Sequence, residues 1–478
     1  MAGTRVAIAD DVRELGVAAR KAHPTAVSVI AMLTLASGLA GRLYLALASL
    51  TIYKRKSRAY YAMTALAAVS AIFYLTVRVN YIKVLVSLAL LALLTTNRRH
   101  FTVRSERPGW RSATGLAGAA LIATIYGATS VVTALSMGYA AWCLFRPVSY
   151  RLRTLSTERA RASEILQQHG RATLDHYKVQ DDKSLFLSPT GRSFVSYRVS
   201  GAFAVVLGDP VGPRTDLPGT LIAFCDFCTQ NDWGLALYQT SPDFLPLYRS
   251  LGFKTLKLGD DAQVDLAAFS LEKASKGLRT GVRKLDRLGI RAEWREAPLD
   301  ADTVQQMALV VSEWQRIPGR RERHFALGRF DPEHASSTPV LLAIDPQNTV
   351  VGFITSPPSY RRGEATLDLM RRRPDAPNGV MDYLIVKLLE RSRDAGFETM
   401  SLGMVPMNGF SESEHASPEE RIIHDSFQRL GFVFSFKGIR AYKAKFATRW
   451  EPRYVIYRTE LDLPRLAVAF ARISESSA

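Results

Sequence analysis

Asp368 and Arg371 stand three residues apart in DLMRRRPDAPNGVMDYL (368–384), where a strand pattern runs into a proline-bracketed turn and then an apolar helix pattern from Tyr383 to Leu389. Residues three apart on an extended segment point to opposite faces, so the chain must bend for both to line one site. The unpaired N–H groups of a helix start attract anions. Arg371, Arg372 and Arg373, set beside one, make this corner a candidate phosphate site. The other polar residues here have local uses. Asp375 and Asn378 suit helix capping, Gly379 suits the turn, and Asp382 falls in the first helical turn, where the dipole favours a carboxylate. A second stretch, FKGIRAYKAKFATRWEPRY (436–454), interleaves Lys437, Arg440, Lys443 and Lys445 with Phe436, Tyr442, Phe446 and Trp450. That pattern suits a phosphate backbone with unpaired bases stacked nearby, against the plainer reading of an edge strand guarded by lysines.

The composition asks for the same kind of partner. The 478 residues carry 62 Lys and Arg against 44 Asp and Glu, a formal net charge of +18, which implies nucleic acid, anionic lipid or both. There is no Walker-type phosphate loop, no G-x-S-x-G elbow, no H-E-x-x-H and no Gly-rich dinucleotide fingerprint after a strand, which weighs against ATP cleavage, serine hydrolase, zinc protease and dehydrogenase chemistry. The eight histidines are scattered, without metal-ligand spacing on a helix. Three cysteines cannot build a disulfide framework, so a reducing compartment is expected. Cys225 and Cys228 form a C-x-x-C that falls in mid-helix and reads as two core thiols.

The elements that must position these residues change character along the chain. Residues 25–41, 43–53, 59–77, 84–97 and 112–145 are uncharged and apolar, on the scale of bilayer-spanning segments, and basic clusters border them. The charged opening does not read as a cleavable signal. With all the basic clusters on the cytoplasmic side, 59–77 and 84–97 form a hairpin around Asn80. Residues 112–145 form either a paired arrangement broken at Gly127 or one long tilted helix. Beyond a basic helical connector, strand and helix patterns alternate. Strands are expected within 194–207 and over 234–240, 253–266, 339–344, 349–356, 364–370 and 399–404; helices over 218–231, 242–251, 301–316, 380–395 and 418–430. The order indicates two α/β units. Between them, Leu278, Val282, Leu285 and Leu288 recur at helical spacing, with Arg279, Arg283, Lys284 and Arg287 off that stripe. That face is either solvated or an RNA or lipid contact.

GDPVG, YQTSPDFLPLYRSLGFKTLKLGDDAQVDL, FSLEKASKGLRTGVRKLDRLG, FALGRFD, DLMRRRPDAPNGVMDYL and FKGIRAYKAKFATRWEPRY together resemble the bacterial aminoacyl-phosphatidylglycerol synthases, the lysyl- and alanyltransferases of the multiple peptide resistance factor family, over about residues 165–460. The resemblance implies a multi-domain chain: an N-terminal α-helical transmembrane region followed by α/β tandem GNAT-like acyltransferase domains. It implies transfer of an amino acid, lysine first and alanine second, from aminoacyl-tRNA to a glycerol hydroxyl of phosphatidylglycerol. The product lowers the negative charge of the membrane and resists cationic antimicrobial peptides. No cofactor is implied, because ester-to-ester exchange needs no further activation. By the same resemblance Asp368 and Arg371 sit at the reacting centre, and Lys443 and Lys445 near the tRNA end or the lipid phosphate. Arg372, Arg373 and Arg440 join them as phosphate contacts.

The expected layout is a cytosolic tail (1–24), transmembrane helices (25–146), a basic connector (147–170), GNAT-like domains over 171–300 and 301–460, and a C-terminal helix (461–478). The location is the bacterial inner membrane, multi-pass, with the catalytic part cytosolic and close to anionic lipid. Longer family members add a large membrane domain thought to move the product outward, a step not expected of this chain. Diacylglycerol is an alternative acceptor. A CoA-dependent N-acyltransferase of the same fold would carry Arg/Gln-x-x-Gly-x-Gly/Ala where RRRPDAPNG stands. A catalytically inactive membrane-anchored RNA- or lipid-binding module would not need Asp368, Arg371 and the two lysines. Glu313 and Asp331 are candidate partners for a lysine ammonium.

Overall fold

The structure is a computed structural model, and it describes residues 54–76, 79, 81–104, 145–152, 155–406 and 436–475. The described chain divides into two compact units. One comprises the described parts of 1–150 together with 225–234; the other comprises 151–224 and 235 onward.

In the first unit, helices α1 (Ser57–Thr76) and α2 (Tyr81–Thr96) pair as the hairpin expected around residue 80. Tyr60, Met63, Ala67, Leu90 and Leu94 fill the seam with Phe101. Lys56 is fully buried at the base. Its ammonium donates to the carbonyls of Arg104 (3.1 Å) and Arg146 (3.2 Å) and pairs with Asp232 at 3.0 Å, so this cation of an expected basic loop is a structural tie. Ile72, Leu75, Ile82, Leu85 and Leu88 remain exposed. Among the described residues, no helix is long and apolar enough to cross a membrane. The apolar segments 25–41 and 43–53, and 112–145 up to residue 144, lie outside the described residues.

In the second unit, α3 (Ser156–His169) occupies the connector. Strands β1 (Ser184–Leu187), β2 (Phe194–Ser200), β3 (Phe203–Leu207), β4 (Gly234–Thr240) and β5 (Lys254–Asp265) follow, with α4 (Leu217–Gln230) and α5 (Leu245–Ser250) between them. Cys225 and Cys228 are buried in the part of α4 that belongs to the first unit. Next come α6 (Lys276–Arg287), β6 (Arg291–Arg295), α7 (Ala301–Gln315), β7 (Val340–Ile344), β8 (Val350–Thr355), β9 (Glu364–Thr366) and β10 (Met370–Arg372). The last elements are α8 (Val380–Asp394), β11 (Thr399–Pro406), α9 (Phe436–Lys443), β12 (Arg449–Tyr457) and α10 (Asp462–Glu475).

Local chemistry accounts for many of the boundaries. Ser275 caps α6 by accepting the Leu278 N–H at 3.3 Å, and Asp300 caps α7 through Thr303 at 2.8 Å. Leu278, Val282 and Leu285 form the buried stripe of α6, each worth about 1.5–3 kcal/mol on full burial. The start of α8 differs from expectation. Gly379, at φ +95, is its N-cap, no side chain caps it, and Asp375 and Asn378 are exposed. A left-handed N-cap is open to glycine and strained for the alternatives.

The strands do not sort at the expected 300/301 boundary. An eight-stranded sheet runs β1-β2-β3-β4-β12-β5-β11-β9, and a four-stranded sheet runs β10-β8-β7-β6. Strand β12 lies antiparallel between β4 and β5, and β11 flanks β5 on its other side. The halves expected at 171–300 and 301–460 therefore share one sheet, because strand pairing follows space rather than sequence order. The segment read as a possible edge strand is instead helix α9 followed by a central strand.

A fragment of residues 171–300 is expected to stay unfolded, since β5 would lose both neighbours. Urea denaturation followed by circular dichroism should show a cooperative transition for residues 151–478 and none for the fragment.

Candidate active site

Strand β9 pairs parallel with β11 at the rim of the large sheet, while β10 pairs with β8 at the rim of the small one. The chain crosses from one sheet to the other over residues 367–369, and this is the bend that the spacing of Asp368 and Arg371 requires. Thr355 fixes it, accepting the Asp368 N–H on its carbonyl (3.0 Å) and the Leu369 N–H on its hydroxyl (2.9 Å).

The carboxylate of Asp368 faces a cavity of about 360 Å³, walled largely by apolar side chains such as Leu258, Leu367, Leu402, Met404, Ile439 and Phe470. It accepts the Gly328 N–H at 3.1 Å, and the hydroxyl of buried Tyr177 lies beside it. A Cβ on Gly328 would lie 1.8 Å from an Asp368 oxygen, so only glycine allows this approach. Burial raises the Asp368 carboxyl to about 6, with the Gly328 N–H, the Arg371 charge and the Tyr177 hydroxyl pulling the other way.

Lys443 enters the same cavity from the end of α9. Opposite β5, strand β11 has a register shift between Ser401 and Met404, with Gly403 at φ +83. The shift leaves the carbonyls of Gly403 and Met404 to accept from the Lys443 ammonium at 2.9 and 3.2 Å. Burial lowers Lys443 to about 8, and the field of Asp261 opposes the drop. Asp261 itself is buried on β5, accepting from Ser401 Oγ at 3.0 Å and pairing with Arg453 at 3.0 Å.

Two non-glycine residues adopt left-handed backbone at the cavity wall: Gln239 (φ +65), and Phe325 (φ +77), which lies between the lining residues His324 and Ala326. Each costs about 1–3 kcal/mol and is retained only where surroundings enforce it. Phe325 is enforced by its N–H, which donates to Asp182 at 2.9 Å; Asp182 in turn is ion-paired with fully buried Lys183.

Of the residues singled out in the sequence, the structure brings Asp368 and Lys443 into one cavity. Arg371 lies behind that wall, with its guanidinium over the Trp314 ring at 4.0 Å and paired with Glu322 at 3.0 Å; it reaches Asp368 through its charge. Arg373 pairs with Glu313 at 2.7 Å, and Arg372 donates to the carbonyls of Arg373 and Pro374. The three arginines are thus not one free anion-binding surface, because two of them answer carboxylates about 50–60 residues away in sequence. Lys445 pairs with Asp382 at 2.8 Å, and Arg440 lies 5.8 Å over the Trp450 ring; neither lines the cavity. Asp375, Asn378 and Gly379 lie outside it as well. Glu313 is taken by Arg373, and Asp331 by Arg329 at 3.4 Å. Tyr177, Asp261, Gln239 and Arg453 line the cavity without having been foreseen. For Asp261 there was a signal, an acid at an inward position of an otherwise well-patterned strand.

Residues 163–457 match the family described as phosphatidylglycerol lysyltransferase, C-terminal. The phosphatidylglycerol lysyltransferase of Staphylococcus haemolyticus is 31% identical over 340 residues, 70% of this chain and 40% of that protein. That of Staphylococcus epidermidis is 30% identical over 336 residues, with the same coverage. The chain thus spans about 40% of the length of these relatives. Among solved structures, L-PGS from Bacillus licheniformis matches with 26% identity and a TM-score of 0.58, over 65% of this chain and 94% of that one. The C-terminal domain of a putative lysylphosphatidylglycerol synthetase from Agrobacterium fabrum matches with 29% identity and a TM-score of 0.60, over 68% and 98%. Residues 163–457 accordingly share the fold of these two solved structures.

Replacing Tyr177 by Phe removes a donor that holds the Asp368 carboxyl down, so its titration midpoint should move above about 6. Carboxyl carbon NMR of aspartate-labelled protein, with Asp368→Asn as the assignment control, reads this directly; an unmoved midpoint would contradict the contact.

Proposed function

The chain belongs to the phosphatidylglycerol lysyltransferase family through its C-terminal domain, and on that premise we propose that it transfers an aminoacyl group, lysyl first, from aminoacyl-tRNA to a glycerol hydroxyl of phosphatidylglycerol at the bacterial inner membrane. The observation that carries this reading is the single apolar cavity shared by a carboxylate near pKa 6 and a lysine near pKa 8.

At neutral pH Asp368 is mostly ionised and basic enough to accept a proton. The lipid hydroxyl attacks the aminoacyl ester carbonyl, its proton passes to Asp368, and a tetrahedral oxyanion forms. Lys443, mostly an ammonium at that pH, supplies positive charge to that oxyanion or to the lipid phosphate. As the intermediate collapses, the ester bond to the tRNA ribose breaks and the proton on Asp368 goes to the departing ribose oxygen. One ester is exchanged for another, and no nucleotide is consumed. The apolar lining suits the glycerol end of a lipid and excludes the water that would hydrolyse the donor.

Membrane attachment is part of the proposal, with the apolar N-terminal segments spanning and the catalytic unit cytosolic; the exposed apolar residues of α1 and α2 support it. A lysyl product adds positive charge to an anionic lipid and so lowers attraction for cationic peptides. Alanyl transfer is the second reading, favoured by the pairing of Glu313 and Asp331 with arginines, which leaves neither to receive a lysine side chain.

Purified protein supplied with phosphatidylglycerol and a pool of charged tRNAs should yield a new lipid, detected by mass spectrometry and abolished by ribonuclease. The mass gained separates lysyl from alanyl product. Lys443→Ala should lower the rate by about 10²–10³, as for loss of one electrostatic donor. An unchanged rate in that variant, or no new lipid from intact charged tRNA, would contradict the proposal.

A further inference from the structure

Helix α6 carries charge that the active site does not use. Its apolar stripe, Leu278, Val282 and Leu285, is packed into the core beside Val380 and Leu384 of α8. Lys276, Arg279, Arg283, Lys284 and Arg287 lie off that stripe, a row extending about 16 Å at 1.5 Å per residue. Among the described residues, none of these five forms an ion pair with a carboxylate. The one acid of the helix, Asp286, lies near the Tyr383 hydroxyl, which itself donates to the Ile290 carbonyl at 3.1 Å.

Helix electrostatics explain only part of this row. Lys284 and Arg287, in the last turn, are favoured by the helix dipole. Lys276 and Arg279 stand in the first turn, where the dipole opposes cations and where acids are the usual choice. A local preference broken without a compensating carboxylate points to a partner outside the chain.

We propose that the outer face of α6 is the docking surface for the phosphate backbone of the tRNA acceptor arm, an inference that rests on the tRNA-dependent transfer above. Cations spaced three and four residues apart recur at intervals comparable to those of successive phosphates along one strand. Helix α8 packs on one side against α6 and on the other against β8, β10 and β11. Those strands hold the Asp368 crossover and the carbonyls that bind Lys443. The row and the cavity are thus about two layers apart, ~20 Å. A tRNA whose paired stem lies on α6 has an unpaired 3′ end to cover that interval. A bilayer fits the face less well. A helix lying in a membrane surface turns apolar residues outward, whereas those of α6 are buried and the one large apolar neighbour exposed is Leu288.

The test uses the full-length protein and the variant Arg279→Glu/Arg283→Glu/Arg287→Glu, in which Arg283 and Arg287 are exposed and Arg279 is half-buried with its guanidinium donating to the Glu272 carbonyl. Three readouts are needed: tRNA binding by fluorescence anisotropy across salt concentrations, transfer kinetics with charged tRNA, and flotation with phosphatidylglycerol vesicles. The variant should bind tRNA at least ~10-fold more weakly, with a salt slope reduced by about one per lost phosphate contact. KM for charged tRNA should rise while kcat stays within about 2-fold, since no substituted residue lines the cavity. Wild-type tRNA affinity in the variant would overturn the assignment, whatever the transfer rate. Loss of vesicle flotation with tRNA affinity intact would overturn it in favour of a lipid surface. Weakened tRNA binding in the variant, with no transfer by the wild type, would uphold the surface and sink the transfer reading instead.

Discussion

Asp368 occupies the short crossing where the backbone passes directly from β9 of the large sheet to β10 of the small one, and the segment is held there by two hydrogen bonds to Thr355. That crossover puts a carboxylate at a junction already walled by both sheets, so it is desolvated without being sealed in. The surroundings answer this demand. Gly328 approaches as closely as a residue without a side chain can, the Tyr177 hydroxyl lies beside the carboxylate, and Arg371 adds charge from behind. An unpaired buried carboxylate would simply take up a proton. With three favourable neighbours, burial still raises its pKa to about 6, which leaves it a usable base at neutral pH.

Lys443 is the counterpart. A β-bulge is normally a local loss of pairing, but here the carbonyls it frees are taken by an ammonium, and the buried Asp261–Arg453 pair sets the field around it. Strain at Gln239 and Phe325 lies on the same wall. Left-handed backbone at two positions, an irregular strand and desolvated charges meet around one cavity. Stability given up locally in this way is what a preorganised site requires.

The local pattern was readable in the sequence, and its long-range consequences were not. Alternating strand and helix periodicity located most of the elements from β2 to β11, because each is fixed by its own apolar spacing. The placement of β12 between β4 and β5 was not readable, since no short-range signal reports which strands meet. The same limit applies to the site. Asp368 and Lys443 were singled out, yet nothing local tied them to one cavity. Arg371 to Arg373 looked like a phosphate cluster because their partners, Glu322 and Glu313, lie far off in sequence. Asp375 and Asn378 looked like caps, although the left-handed Gly379 already fills that place. Tyr177 carried no signal in the sequence, since only the fold brings its hydroxyl beside the carboxylate.

The central claim is that Asp368 takes the proton while Lys443 supplies charge, and the pH profile of single-turnover aminoacyl transfer tests it most directly. The rate should rise with pH through about 6 as the carboxylate forms and fall above about 8 as the ammonium is lost. Asp368→Asn should slow transfer by about 10²–10⁴ and abolish the acid limb. An acid limb near 6 that persists in Asp368→Asn at a comparable rate would place the base elsewhere and contradict the account.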